Sequence, residues 1–331
     1  MTNDIQKQIV TGFTFTTDTY DQLTQAEVYG KVIAEMGENN KNIVVLTSDM
    51  TRSNKTGDFK KIFPDRFFNF GIAETNMMAA ASGFAVTGKI PFVSTFAVFA
   101  SLRCAETIRT DIAYPNLKAR IIATHSGLSM GNGGTTHHAT EDIAIIRSMA
   151  NMTVIVPADS IETAKAIRAT EKVEGPVYIR IGRALEPMAY ENDQYDYEIG
   201  KNVVMRDYGS DAAIIACGVA VKSAVDAADE LKEKGIKIKV INMHTIKPTD
   251  SQSILSIAKE TGKIVTAEEH NIIGGLAGAI SETLTENGVA VKFKRLGVPD
   301  VYSAIGYPDE LYARYKINKD GIIEGVKEVI E

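Results

Sequence analysis

Short, almost wholly apolar runs alternate with stretches of helical period along most of the chain. Runs at 43–48 (IVVLTS), 90–96 (IPFVSTF), 119–125 (ARIIATH), 153–158 (TVIVPA) and 177–181 (VYIRI) read as strands. Between them, apolar positions recur at helical spacing over 26–37, 73–86, 98–113, 141–149 and 160–171. The strands are continuously apolar rather than alternating, so both faces of their sheet must be covered. This pattern predicts an α/β fold: a mostly parallel sheet with helices on both faces.

Periodicity lapses after Arg183. Residues 184–210 are rich in Tyr, Asp and Asn and carry no clear period, as a linking segment would. A second alternation follows: DAAIIACG, a helix at 219–234, IKIKVINM, a helix at 249–260, GKIVTAEE, a helix at 274–286, then AVKFKRLGV. Two α/β domains are therefore expected, over 1–190 and 211–331, joined by a linker at 191–210. The 331 residues are enough to give each its own core.

Composition narrows the class. Hydrophobic residues make up 44% and charged residues 24%, the balance of a soluble globular protein. A net charge of −6 argues against nonspecific binding to nucleic acid or anionic membranes. No apolar run reaches the roughly 18 residues of a bilayer span, and the polar N-terminus is unlike a secretory signal. Cys104 and Cys217 lie in apolar settings without metal-ligand spacing, which predicts buried, reduced thiols. A cytoplasmic enzyme is the expectation.

Three segments carry reactive or ligand-binding side chains. FNFGIAETNMMAA (68–80) sets Glu74 at a helix start, where an acid is explained by the helix dipole or by a catalytic role. STFAVFASLR (94–103) places Phe96 and Phe99 at a strand end and a helix start. Such rings commonly pack in a core, but at the carboxyl end of a strand they also suit a flat heterocycle. The third segment is the glycine-rich loop 126–140, SGLSMGNGGTTHHAT. With His125 just before it and His137 and His138 inside it, three of the chain's five histidines gather there. A long glycine-rich loop is poor framework and good active-site material. A metal site is the rival reading, without a suitably spaced acid or thiol to complete it. His244 and His270, in the second half, read as packing residues, although the glycine-rich turn after His270 would also suit an anion.

Taken in order, TSDMTRSN, FPDRFFNFGIAETNM, GKIPFVSTFAVFASLR, ATHSGLSMGNGGTTHHATEDIAIIRSMANMTVIVPAD and GPVYIRIGR resemble the transketolase pyrimidine-binding domain across residues 24–183. GKIVTAEEHNIIGGLAGAI resembles the C-terminal domain of the same family, so the likeness covers nearly the whole chain. The resemblance implies a thiamine-diphosphate-binding fold and thiamine diphosphate as cofactor. Glu74 matches the family's GIAE glutamate, which hydrogen-bonds N1′ of the aminopyrimidine and favours its imino tautomer. A buried, apolar setting would raise the carboxyl pKa and ease proton exchange near neutral pH. Phe99 matches the ring that stacks on the pyrimidine, Phe96 a second aromatic, and Asp49 an acid near the cofactor at the subunit interface. His137 matches a histidine that faces the substrate, making Glu74 and His137 the implied catalytic pair. His125, Ser53 and Arg183 match residues that bind the distal phosphate of sugars, and their chemistry suits an anion.

The family's diphosphate–magnesium motif, GDG followed by an Asn, does not occur in the chain. The resemblance thus implies that Mg²⁺ and the diphosphate are held by a separate N-terminal-half transketolase subunit, in an alpha2beta2 complex. The substrate pocket departs from the family pattern. GNGGTTHH stands where GEDG-x-THQ is usual, so Asn132 and Gly133 replace an acid pair and His138 replaces a glutamine. Asn132 and His138 join the expected substrate-contacting residues. The arginine of an ATR motif aligns with Ala26, a loss worth about 1.5–3 kcal/mol of phosphate binding. The distal group is accordingly expected to be a phosphate, a sulfonate or uncharged.

The expected activity is transfer of a two-carbon ketol unit from a ketose to an aldehyde, by the C-terminal subunit of a two-subunit transketolase. A 1-deoxyxylulose-5-phosphate synthase-like half and a 2-oxo-acid dehydrogenase beta subunit are the neighbouring alternatives, and the FxxF spacing and THH loop favour transketolase over both. A non-catalytic regulatory partner is the reading from another class, given the changes at 26, 132 and 133.

Overall fold

The computed structural model describes residues 20–331, and the polar N-terminal stretch lies outside the described residues. Helix α1 (Gln25–Asn39) opens on a capping box. The Thr24 hydroxyl accepts the Glu27 N–H at 3.2 Å and the Glu27 carboxylate accepts the Thr24 N–H at 3.0 Å, so two orphan donors are satisfied reciprocally. After it come β1 (Ile43–Thr47), α2 (Gly57–Ile62), β2 (Phe67–Asn69), α3 (Glu74–Val86) and β3 (Ile90–Phe96). A helical path over 99–113 then leads to β4 (Arg120–Thr124), its Phe99–Arg103 and Ile108–Ala113 stretches wound more widely than an α-helix. Next are α4 (Asp142–Arg147), β5 (Thr153–Ile155), α5 (Ser160–Ala169) and β6 (Val177–Arg180).

The second half contains β7 (Val203–Asp207), β8 (Ala213–Ala216), α6 (Ala220–Glu233), β9 (Lys239–Asn242), β10 (Thr245–Lys247), α7 (Ser251–Thr261), β11 (Lys263–Asn271), α8 (Leu276–Glu286), β12 (Lys292–Val298), α9 (Pro308–Arg314) and α10 (Lys319–Ile330). The strands form two sheets, ordered β10-β5-β6-β4-β3-β1-β2 and β12-β11-β8-β9-β7. All neighbours are parallel except β10 against β5 and β7 against β9. Strand alternation divides the core into two layers. Ile43 and Val45 of β1 join one with Ile214 of β8, while Val44 and Leu46 join the other with Ile215. Both apolar layers thus run through both sheets, with helices on each side.

The fold class is as the pattern predicted, and three details are not. β7 lies inside the expected linker, where a half-exposed edge strand of mixed polarity leaves little periodic signal. β10 reaches back from the second half to the edge of the first sheet, too short at three residues to declare itself. Helices α9 and α10 extend the second unit beyond its last expected strand. Among the described residues no helix is long and apolar enough to cross a membrane.

A buried ionic cluster ties the halves together. Arg180, at the end of β6, donates from Nε to the Asp142 carboxylate at 3.0 Å and from Nη1 to Glu269 Oε2 at 3.2 Å. Its Nη2 donates to the carbonyls of Glu269 and Ala139 at 2.6 and 3.2 Å. The Tyr178 and Tyr312 hydroxyls donate to the two carboxylates at 2.9 and 3.0 Å. Burial works against the guanidinium's charge, but Asp142 and Glu269 outweigh it and hold the Arg180 pKa above its ordinary value. Removing one member of a buried pair strands the other charge, at a cost of about 3–5 kcal/mol. Arg180→Met should therefore lower the unfolding free energy by about that amount in urea denaturation, whereas a change within about 1 kcal/mol would show the cluster to be dispensable.

Candidate active site at the carboxyl ends of the first sheet

The strand order turns at β1, with β2 on one side and β3 on the other. The crevice outside such strand ends is where open α/β sheets bind ligands. The segments after β1, β2, β3 and β4 bring in Asp49, Glu74, Phe99 and His125 respectively. Asp49 and His125 have left-handed backbone, with φ of 60° and 57°, a conformation that non-glycine residues adopt at a cost of order 1–3 kcal/mol. Both strands therefore turn sharply as they leave the sheet.

Glu74 is the first residue of α3 and is 2% exposed. Its Oε2 accepts a hydrogen bond from Arg103 Nη1 at 2.8 Å, while Oε1 is buried and has no partner. Leaving such an acceptor unsatisfied costs about 1–3 kcal/mol, so this oxygen suits a donor from a ligand. The Arg103 guanidinium also lies over the Phe99 ring, 4.6 Å from its centroid. Phe99 and Phe96 are nearly parallel, with centroids 5.8 Å apart and planes 18° apart. Phe96 in turn stacks on His125 at 4.0 Å, and His137 stands edge-on to Phe99 at 5.6 Å. Glu74, Arg103, Phe99, Phe96, His125 and His137 thus form one connected ladder.

Glu74 is buried, as an apolar setting would make it, but a guanidinium stands beside it. Arg103 carries no sequence mark of its own beyond standing four residues after Phe99 on a helical path, the spacing at which side chains meet. Asn54 was also missed. It is fully buried, its Oδ1 accepts the Thr124 hydroxyl at 2.9 Å, and its Nδ2 has no partner.

The other expected site residues fall into distinct settings. Asp49 is exposed; its N–H donates to Asn69 Oδ1 at 2.9 Å, and its carboxylate accepts from Asn69 Nδ2 at 3.3 Å. Ser53 is half-buried on the segment after β1, and Asn132 is exposed on the 126–140 loop. Arg183 is exposed and donates to the Met130 carbonyl at 3.0 Å. His138 is buried, with both ring nitrogens already committed to Ser303 and Gly131, so in this arrangement neither is free for a substrate. Ala26 faces the core. The side chain on that turn that reaches the strand ends is Gln25, whose Oε1 accepts the Gly182 N–H at 2.6 Å.

His244 and His270 stand apart from the ladder and are fully buried. His244 stacks on Tyr197, and His270 bonds the Asn271 carbonyl and the Ala144 N–H. Both cysteines are buried and free. Among the described residues no group of three or more His, Cys, Asp or Glu is placed to hold a metal.

Residues 21–188 match the family model for the transketolase pyrimidine-binding domain, and 200–322 match that for the transketolase C-terminal domain. An apulose-4-phosphate transketolase subunit from Phocaeicola vulgatus is 38% identical over 299 residues, covering 90% of this chain and 95% of that protein. A 6-deoxy-6-sulfo-D-fructose transketolase subunit from a Clostridium species is 34% identical over 305 residues, covering 92% and 94%. Among solved structures, a split-gene transketolase in an inactive beta4 tetramer matches with a TM-score of 0.84 at 40% identity, covering 93% of this chain and 98% of that one. With the two family models matching successive stretches that span most of its length, the chain belongs to the transketolase family. Its organisation, matched almost end to end by these relatives, is that of the C-terminal subunit of a two-subunit transketolase.

Burial, followed by the charges of Arg183 and Lys55, pushes the His125 pKa down to about 4. The ring is therefore neutral at neutral pH. An unfolded histidine, with a pKa of about 6.5, binds its proton more readily, so His125 withdraws stability as pH falls from about 6.5 towards 4. An NMR titration should find His125 neutral down to about pH 4, with Arg183→Gln moving the midpoint upward. An ordinary midpoint in the wild-type chain would refute this electrostatic picture.

Proposed function

We propose that the chain is the C-terminal-half subunit of a thiamine-diphosphate-dependent transketolase. With an N-terminal-half partner, two copies of each, it transfers a two-carbon ketol unit from a ketose to an aldehyde acceptor. The observation that carries this reading is the open oxygen of buried Glu74 beside the Phe96–Phe99 pair.

Those residues fit the cofactor's aminopyrimidine: a hydrogen-bonding oxygen at one edge and an aromatic face to stack on. When bound, thiamine diphosphate supplies the electron sink for cleaving the ketose beside its carbonyl. Glu74 would hold and exchange a proton at Oε1, while Arg103 fixes the carboxyl group through Oε2. Phe99 and Phe96 keep water from that edge. His137, half-buried and edge-on to Phe99, is placed to move a proton at a substrate oxygen. His125 offers the substrate's far end a neutral ring, with Ser53 and Arg183 contributing a hydroxyl and a positive charge. The two relatives' names pair this organisation with a phosphorylated and a sulfonated sugar, which supports an anionic distal group.

The partner is assigned Mg²⁺ and the cofactor's diphosphate, because the GDG…Asn motif is not in this sequence. Ile72 and Leu102, beside Glu74 and Arg103 in the chain, are 82% and 54% exposed, and Tyr114 is 86% exposed. An apolar surface of this kind at a site's edge supports burial against a second subunit. Asp49 is exposed, as an acid at such a junction would be.

The test is a substrate panel on the chain co-purified with its N-terminal-half partner. Ketol transfer is expected, and Glu74→Gln should lower kcat by about 100-fold or more with assembly unchanged by size-exclusion chromatography. Phe99→Ala should weaken cofactor binding about tenfold. CO₂ release from a 2-oxo acid would reassign the reaction, and unchanged turnover by Glu74→Gln would reduce the chain to a regulatory role.

A further inference from the structure

We infer that Ser303, on the segment after β12, is a positioning residue that holds the His137-bearing loop through His138. The inference concerns the architecture of the loop. It rests on the proposed role of His137 only for its kinetic consequence.

The 126–140 loop has little framework of its own. Gly127, Gly131 and Gly134 have φ of 50°, 57° and 85°, so three of its turns use backbone that other residues rarely adopt. Its neck is closed by the Gly127 N–H donating to the Ala139 carbonyl at 3.2 Å. Within it, the Gly134 N–H donates to the Gly131 carbonyl at 3.1 Å and the His137 N–H to the Gly134 carbonyl at 2.9 Å. These local bonds shape the turns, and the attachments described next anchor them.

Ser303 is 4% exposed and meets this loop twice. Its Oγ lies 2.6 Å from His138 Nδ1, and its carbonyl accepts the Thr135 hydroxyl at 2.6 Å. His138 is buried as well, and its Nε2 lies 2.9 Å from the Gly131 carbonyl. A carbonyl only accepts, so Nε2 must carry a hydrogen. In the neutral ring Nδ1 is then the acceptor, and the Ser303 hydroxyl must donate to it. Burial favours that neutral form, lowering the His138 pKa while the Gly131 carbonyl pulls the other way and the charge of His137 adds to the fall. One directed chain results: Ser303 hydroxyl to His138 Nδ1, then His138 Nε2–H to the Gly131 carbonyl.

Packing follows the same path. A Cβ added at Gly131 would lie 3.1 Å from Pro308, and one at Gly134 would lie 3.4 Å from Ile305. Ser303 and Tyr302 also line a cavity of about 460 Å³ with Val98, Leu102, Thr136 and His138, beside the residues that carry Phe99 and His137. The second half of the chain thus reaches the reaction loop, although none of the ladder residues comes from it.

The experiment begins with the full chain labelled at histidine nitrogens and backbone amides. Wild-type His138 should show the Nε2–H tautomer. Ser303→Ala should keep that tautomer, which the Gly131 carbonyl still requires, but should move the Nδ1 nitrogen resonance as its donor is lost and speed amide exchange at Gly134 and His137 by about tenfold. Ser303→Thr keeps the hydroxyl and should restore both signatures. In the complex with the partner, Ser303→Ala should lower kcat by about 10- to 100-fold with a smaller effect on the KM for the ketose, and Ser303→Thr should recover it. Wild-type-like Nδ1 resonance and exchange in Ser303→Ala would overturn the inference, as would altered signatures with unchanged kcat. A wild-type complex without ketol transfer would refute the proposed function instead, and the NMR measurements would then decide the role of Ser303.

Discussion

The charge on Arg180 is the constraint around which the molecule is arranged. Its guanidinium lies in the interior where β6 ends, with Asp142 from the first half on one side and Glu269 from the second on the other. No single element could bury any of these three groups alone, because each would be left without a counter-charge. Bringing them together fixes α4 and β11 against β6 in one step. It also sets the mouth of the site, since the same guanidinium donates to Ala139 at the neck of the glycine-rich loop. Gly127 sits directly above, where a Cβ would lie 2.5 Å from both the guanidinium and the Glu269 carboxylate. The glycine is required by this close approach as well as by its positive φ.

From that anchor the site follows by proximity. Left-handed turns at Asp49 and His125 end the β1 and β4 paths abruptly, and β3, which lies between those two strands, delivers Phe96 and Phe99. Stacking then orders the rings, and Arg103 links the stack to Glu74. The carboxyl group is held at one oxygen and left open at the other. A fully satisfied Glu74 would be a structural residue; this one is oriented and still able to accept.

How much of this could be read in the amino-acid order depended on the range of the interactions. β1, β3 and β4 announced themselves because each is buried on both faces and so continuously apolar. That Glu74, Phe96, Phe99 and His137 belong together could be expected because the short segments that carry them follow a family pattern, and the structure brings the four into one ladder. Arg103 could not be expected there, since its bond to Glu74 joins residues 29 apart and leaves no local periodic mark. The committed ring of His138 was hidden for the same reason, its partner Ser303 lying 165 residues away. The setting of Ala26 was hidden for a different reason. Consecutive helix positions point in different directions, so Ala26 faces the core while its neighbour Gln25 reaches Gly182.

The short strand β10 has a consequence for how the polypeptide is made. It covers the β5 edge of the first sheet, an edge that would otherwise offer unpaired backbone to other chains. Residues 245–247 are synthesised long after the last strand of the first half, which ends at Arg180. A nascent or truncated first half must therefore keep a sticky border open until the second half arrives to close it. The halves look like separable modules in sequence, yet the border of the earlier one is completed by backbone from the later.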